Sequence, residues 1–363
     1  MKKIFSVPFN VSLTEEKFSD FKVFLKKYND LIFDVYFTFA LPPFNEDAVG
    51  GISESKSTKG SINGNIDTIM SIQNECSVRV SATFNNIYVS PDINNLNLFI
   101  KNFATLYEKG VRSATLPFSS WVFSKEIRKN FPDLFIKNTV IWKVHSAREF
   151  WNLAETGFDY INLDRTLLRN QKTLWEIHEA RESFYDKTGK RILLSILANE
   201  SPCSGYCTFR EEHQALLSHN QIGVEYFPSY VNVCLYSHMK NLNKNGLKMN
   251  FLKMAFISPF EEDFSKIGKV IDVFKLFGRI QPTFFRESLI EIENYANGIG
   301  FLTKIKNILL DYGQNNFQEN LVKAWRKEII NCNFNCWKCS LCDKIYENLS
   351  EKNRKALVEH KIY

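Results

Sequence analysis

The sequence predicts a (β/α)8 TIM-type barrel followed by a C-terminal helical, cysteine-rich extension. Three observations predict it. Short apolar runs alternate with helically spaced segments about eight times over short connections, the rhythm of a parallel sheet. No dinucleotide fingerprint follows the first strand, which disfavours an open sheet. The 363 residues accommodate one barrel of about 250 residues plus an appendage. The barrel is assigned to residues 1–300 and the extension to residues 301–363.

Taken in order, residues 4–9 form a short apolar run. A helix is expected over Thr14 to Lys27, with Phe18, Phe21, Phe24 and Leu25 on one face. Thr14 is its candidate N-cap, although Lys17 stands where a capping box wants an acid or amide. Leu31 to Ala40 reads as a buried strand ended by Leu41-Pro42-Pro43-Phe44. Asn45 to Asn65 is polar and glycine-containing, a length that suggests a lid or an insert. It does not fit the phosphate-loop pattern. Beyond it, helices are expected at Ile66 to Glu75, Leu96 to Tyr107, Ser124 to Asn130, Ala147 to Glu155 and Leu174 to Tyr185. Gly110, Gly157 and Gly189 stand as helix stops. Strands are expected at Val78 to Phe84, Val111 to Leu116, within Leu134 to Val144, at Tyr160 to Leu163 and at Arg191 to Ala198. Val231 to Tyr236 and Lys248 to Ile257 read as extended, Phe264 to Phe277 as a helix, Ile280 to Phe285 as a last strand and Glu287 to Ala296 as a helix.

Lys+Arg exceed Asp+Glu, 46 against 40. This mild excess permits an anionic substrate or nucleic acid without demanding one. No run of 18 apolar residues exists, so no membrane span is expected. The start Met1-Lys2-Lys3-Ile4-Phe5 is interrupted by Asn10, Thr14, Glu15 and Glu16 before a signal-peptide core forms. A cytoplasmic protein is expected. In that reducing compartment eight cysteines are a metal signal more than a disulfide signal. No HExxH, GxSxG or Walker loop is present, so a serine or zinc protease has no support.

The chemistry-bearing residues gather after the strand Arg191 to Ala198. Glu200, Cys203, Cys207 and Arg210 follow it, then His213 and His219. Strand ends at the mouth are where barrel enzymes keep their chemistry. Arg210, His213 and Glu200 are the catalytic candidates. Arg210 suits a carboxylate or phosphate and the histidines could ligate or carry protons. Asn85, Asn162, Asp164, Arg165 and His219 are candidates for substrate contact, the first four at expected strand ends. Cys203, Cys207 and Cys234 lie in the barrel, and Cys332, Cys336, Cys339 and Cys342 form a C-x3-C-x2-C-x2-C run near the end. Thiolates at this spacing select an iron–sulfur cluster or zinc. One shared cluster or two separate sites would satisfy the seven thiols. Cys76 reads as a small buried residue.

Ser258-Pro259-Phe260-Glu261-Glu262-Asp263-Phe264, Ile271-Asp272-Val273-Phe274-Lys275-Leu276-Phe277-Gly278-Arg279 and Tyr295 resemble segments of the collagenase-like peptidase family of unassigned catalytic type, peptidase family U. Ile161-Asn162-Leu163-Asp164-Arg165 resembles that family's strand before its cysteine region, and the Asn199-Glu200 segment with Cys203, Cys207, Arg210 and His213 resembles the cysteine motif of its divergent iron–sulfur branch; the resemblance covers roughly residues 66–296. The resemblance implies a TIM-type barrel and a [4Fe–4S] cluster held by four cysteines. It also implies kinship with proteins of oxygen-independent hydroxylation of ubiquinone precursors or RNA bases.

The expected function is therefore an iron–sulfur barrel enzyme performing a redox modification, such as hydroxylation of a nucleobase or of a small aromatic or anionic molecule. A [4Fe–4S] cluster, one or two, is the expected cofactor, with zinc the alternative at the C-terminal cysteines. A small-molecule or RNA substrate and an electron donor or partner subunit are the expected partners. The contrasting expectation is a non-catalytic accessory protein with a structural metal site, and a peptidase stands third.

Overall fold

The computed structural model describes residues 3–10, 13–44, 51–52, 66–199, 251–279, 282–314 and 316–359. Its strands are β1 (Phe5–Pro8), β2 (Ile32–Phe39), β3 (Gly51–Ile52), β4 (Arg79–Thr83), β5 (Ser113–Leu116), β6 (Phe135–Asn138), β7 (Tyr160–Leu163), β8 (Leu193–Leu197) and β9 (Val273–Lys275). All pair in parallel in the order β1-β9-β8-β7-β6-β5-β4-β2-β3, and β1 also pairs with β2. That last pairing closes eight strands into a barrel, with β3 an addition beside the end of β2. The expected TIM-type architecture is what forms.

Helices alternate with the strands: α1 (Glu15–Lys27), α2 (Ile66–Cys76), α3 (Ile93–Glu108), α4 (Ser119–Phe123), α5 (Glu126–Asn130), α6 (Ala147–Thr156), α7 (Gln171–Thr188), α8 (Glu261–Ile267) and α9 (Pro282–Ala296). Local chemistry sets their ends. The Thr14 side chain accepts from the Lys17 N–H at 3.4 Å, so it is the N-cap. Ser146 accepts from the Glu149 N–H while Glu149 accepts from the N–H of His145, a variant of the capping box. Gly157 and Gly189 take positive φ past the ends of α6 and α7.

Outward residues of the strands bury against these helices. Phe84 of β4's exit packs on Phe44, Phe99 and Phe103, with Trp121 against Phe44 and Phe99. Each fully buried ring of this kind stabilises by about 1.5–3 kcal/mol. Cys76 is buried, as expected.

Four local expectations need correction. The helix expected over Ser124 to Asn130 starts only at Glu126, because Lys125 adopts φ 64° and separates α5 from α4, which ends at Phe123. The strand expected within Leu134 to Val144 does form, as β6, and beyond it Thr139 caps a 3-10 turn over Val140–Trp142. The helix over Phe264 to Phe277 is really α8 followed by β9. Its apolar spacing suited either structure, but the run Val270-Ile271-Asp272-Val273 is rich in β-branched residues. The expected strand over Ile280 to Phe285 is instead the start of α9 from Pro282, a residue favoured in the first helical turn. Of Lys248 to Ile257, residues Phe251–Lys253 form a 3-10 turn rather than an extended segment. Of the segment Asn45 to Asn65, only β3 is described. Val231 to Tyr236 lies outside the described residues.

After the barrel come α10 (Thr303–Tyr312), α11 (Asn316–Ile329), α12 (Leu341–Asn348) and α13 (Glu351–Glu359). Phe301, Ile305, Trp325, Ile345 and Leu357 join the same apolar core as the barrel. Among the described residues no helix is long and apolar enough to cross a membrane.

Candidate active site

A barrel interior is ordinarily filled by Val, Ile and Leu. This one is polar. Side chains alternate along a strand, so Val35, Phe37 and Phe39 of β2 face the helices while Asp34, Tyr36 and Thr38 face inward. Register then carries inward Ser6 of β1, Ser81 and Thr83 of β4, Ser113 and Thr115 of β5, Lys137 of β6 and Ser195 of β8, all buried. A register shift between Phe5 and Ser6 inserts one extra residue into β2. The bulge turns Phe33 inward as well, where it stacks on Tyr160 and tilts against Phe135. These three rings make a floor.

A charged cluster stands on that floor. Lys137 Nζ lies 4.8 Å from the centre of the Tyr160 ring and forms an ion pair with Asp34. Asp34 is fully buried and its other oxygen accepts from the Ser6 hydroxyl at 2.5 Å. The pair spans the barrel, from β2 to β6. Burial holds the Lys137 ammonium below the usual lysine range, against the pull of Asp34. Nearby, Lys275 at the end of β9 places its Nζ 4.2 Å from the centre of the Tyr36 ring. Among the described residues it has no carboxylate partner at ion-pair distance. Burial, helped by the positive charges of Arg279 and Lys137, lowers its pKa to about 7, while Asp34 opposes the shift. A good fraction of Lys275 is then a neutral amine at neutral pH. Tyr36 donates to the carbonyl of Leu276, and burial pushes its phenol up, so it stays protonated.

The loop after β9 is locked. Asn199, at the end of β8's exit, accepts from the Phe277 N–H at 2.8 Å and donates to Ser288, whose hydroxyl donates to the carbonyl of Phe277. Gly278 has φ 142°, and a Cβ there would stand 2.7 Å from the backbone nitrogen of Phe285. Its carbonyl accepts from the Asn10 side chain at 2.8 Å. Arg279, delivered by this turn, donates to the Thr38 hydroxyl at the end of β2. Gly278→Ala is expected to destabilise by at least about 2 kcal/mol, since a strained φ alone costs about 1–3 kcal/mol. Urea unfolding checks it. An unchanged midpoint would mean that α9 yields to the methyl group.

Several buried polar atoms near this cluster have no hydrogen-bond partner among the described residues: Thr83 Oγ1, Tyr160 OH, Asn162 Oδ1 and Ser195 Oγ. The Ser195 hydroxyl lies beside that of Tyr160 without completing a bond in this geometry. Such groups cost free energy unless something polar meets them.

The expected site residues divide. Asn162 is buried and bonds reciprocally with Asn138, its amide donating to that residue's carbonyl at 2.5 Å, a strap between β6 and β7. Asp164 accepts from both the N–H and the hydroxyl of Thr166 and so caps a 3-10 turn over Arg165–Arg169. Arg165 is buried at the exit of β7, and Asn85 accepts from Thr139 at 2.9 Å. These four sit at the carboxyl end of the barrel, as strand ends require. Glu200, Cys203, Cys207, Arg210, His213, His219 and Cys234 lie outside the described residues.

The C-terminal cysteines lie on the same end of the barrel. Cys342 Sγ accepts from the indole N–H of Trp325 at 3.3 Å and donates to the carbonyl of Leu252 at 3.5 Å. Asn333 donates its N–H to the carbonyl of Arg169, which follows β7. Burial pushes the thiols of Cys336 and Cys342 up, the latter to about 11. Among the described residues no three His, Cys, Asp or Glu side chains are gathered closely enough to hold a metal ion.

No protein-family profile and no curated relative matches this chain. Several solved structures align with this chain at low similarity. The U32 peptidase Mk0906 aligns with a TM-score of 0.44 and 12% identity over 78% of this chain and 96% of its own. The 2,3-dimethylmalate lyase of the PEP mutase/isocitrate lyase superfamily gives 0.31 and 13% over 67% and 82%. The aldolase QR15 gives 0.29 and 14% over 53% and 79%. The barrel assignment rests on the strand pairing, not on these likenesses.

Proposed function

We propose that this chain is a barrel enzyme that uses the neutral amine of Lys275 as base or nucleophile on a substrate bearing an anionic group. The observation that carries the reading is a buried lysine, poised near neutrality, inside a barrel interior that holds Lys137 and Arg279 with Asp34. Lysines desolvated beside other cations are activated in this way. Excess positive charge in a low-dielectric mouth favours an anion, and Arg279 has the planar fork to grip a carboxylate or phosphate. Lys275 itself would accept a proton from, or attack, a centre placed above the Tyr36 ring.

The test needs no known substrate. Trace acylation at a series of pH values, followed by peptide mass spectrometry, reads the neutral fraction of each lysine. Lys275 is expected to react with a midpoint near its lowered pKa of about 7, while surface lysines follow the usual value of about 10.4. A midpoint above about 9, on that reference scale, would remove the proposed base.

A second reading is the iron–sulfur-dependent redox modification, with oxygen-independent hydroxylation as its form. One observation favours it: the C-terminal cysteine loop packs on the exit of β7, at the same end of the barrel as Lys275. Iron and acid-labile sulfide are expected in the full chain purified anaerobically, and a protein without either would end this reading.

A further inference from the structure

We propose that Tyr160, Asn162 and Ser195, on the β7–β8 wall of the barrel, form a subsite for an alcohol hydroxyl, so that the substrate is a small hydroxylated anion. This rests on the proposed function only in that an anionic substrate enters the barrel, and the two can fail separately.

Strand geometry puts these three side chains together. Inward residues recur at every second position, so Tyr160 and Asn162 follow one another on the inner face of β7. Asn162 is the register partner of Ser195 on β8, which is therefore inward as well. All three residues are at most 1% exposed. Each nonetheless has a polar atom with no hydrogen-bond partner among the described residues: the Tyr160 hydroxyl, Asn162 Oδ1 and the Ser195 hydroxyl. The rest of Asn162 is engaged, its amide and its backbone N–H both donating to Asn138. Folded interiors leave few polar groups unmet. Three on one patch of wall call for a guest.

Chemistry narrows that guest. Asn162 Oδ1 can only accept a hydrogen bond, whereas each hydroxyl can donate one as well as accept. A carboxylate or phosphate oxygen would take the two hydroxyl protons and leave Asn162 Oδ1 unmet. An ammonium would find three acceptors, but Lys137 Nζ already lies 4.8 Å from the centre of the Tyr160 ring, and a second cation is repelled there. An alcohol hydroxyl donates to Asn162 and accepts from Tyr160 and Ser195, so it satisfies all three. The anionic end of the same molecule has its place across the barrel. There Arg279 donates to Thr38, and Thr83, the register partner of Thr38, carries another buried hydroxyl with no partner among the described residues. In sheet order β9, which carries Lys275, lies between β8 and the β1–β2 side of the barrel. A trapped water fits the same hydrogen-bond pattern. It would then belong to the free fold, and removing its partners would destabilise the protein.

The experiment titrates the full chain by calorimetry with glycerol 3-phosphate against propyl phosphate, and with glycerate against propionate. In at least one pair the hydroxylated probe is expected to bind about tenfold tighter or more, because a site built around a hydroxyl rejects a ligand that lacks it. Which pair responds tells phosphate from carboxylate. Tyr160→Phe with Ser195→Ala should cut this preference at least about threefold, while leaving the affinity for propyl phosphate and propionate unchanged. The double variant should melt no lower than wild type, since the lost hydroxyls hold nothing in the free fold. The inference is overturned if neither hydroxylated probe is preferred, if the double variant keeps the full preference, or if it melts several degrees lower, the sign of a structural water. The acylation midpoint of Lys275, read on the same samples, separates the two proposals. A midpoint near 7 without a hydroxyl preference ends the subsite alone. A preference with a midpoint above about 9 ends the proposed base alone. Should the double variant not fold, Ser195→Ala by itself decides.

Discussion

Lys275→Met is expected to make the protein more stable, by an amount that depends on pH in a defined direction. The folded-state pKa of Lys275 lies near 7, below its ordinary 10.5. The unfolded chain therefore binds more protons than the folded one between those values, and stability rises with pH across that window. Below pH 7 the amine is charged in both states and the full burial penalty applies. At about 1.4 kcal/mol per pH unit of displacement, that penalty is at most about 5 kcal/mol. Above about pH 10.4 both states are neutral and it vanishes. The variant should melt several degrees higher than wild type at pH 6, at about 2–4 °C per kcal/mol. The gap should close between pH 7 and 10.5. Thermal melts across that range test this. A variant that is less stable at pH 6, or a gap that ignores pH, would show that the amine is paired with an anion, and the proposed base would be lost. A group kept at such a cost is the expected mark of an active site.

The barrel was legible in the sequence because each strand signal is local: apolar runs of strand length, bounded by Gly, Pro or polar residues. Where the sequence misled, around Phe264 to Phe285, the same apolar spacing suits a helix or a strand, and only closure of the ring by β9 decides. Much of the candidate site was legible too, but went unread. Asp34, Tyr36 and Thr38 recur at every second position of an otherwise apolar strand, and Lys137 sits inside Phe135–Asn138. A charge in the middle of a buried strand is the signal. It points to a partner three strands along the sheet, which periodicity alone does not name. Lys275, Gly278 and Arg279 were picked out only as a resembling motif, without a role. Gly278 turns out to be dictated by the backbone of Phe285. Asn162 and Asp164, chosen for their strand ends, have hydrogen bonds that are part of the scaffold.

The Asp34–Lys137 pair should show the other large effect. Both groups are buried, and Ser6 is the further donor to Asp34. Asp34→Asn would leave the Lys137 ammonium over aromatic rings without its anion. Lys137→Met would leave a carboxylate with one hydroxyl. Each single change is expected to cost about 3–5 kcal/mol, the usual consequence of stranding a buried charge. Asp34→Asn combined with Lys137→Met should cost far less than the two together, because no charge is stranded. Urea unfolding of the four proteins measures this coupling. Lys275 supplies an independent readout in the same variants. Asp34 raises its pKa and Lys137 lowers it, so its acylation midpoint should fall in Asp34→Asn and rise in Lys137→Met. Asp34→Asn should also gain stability with rising pH, since Lys137 then sheds its proton at lower pH when folded than when unfolded. Additive losses, or midpoints that move the same way in both variants, would mean that the three groups do not form one electrostatic unit.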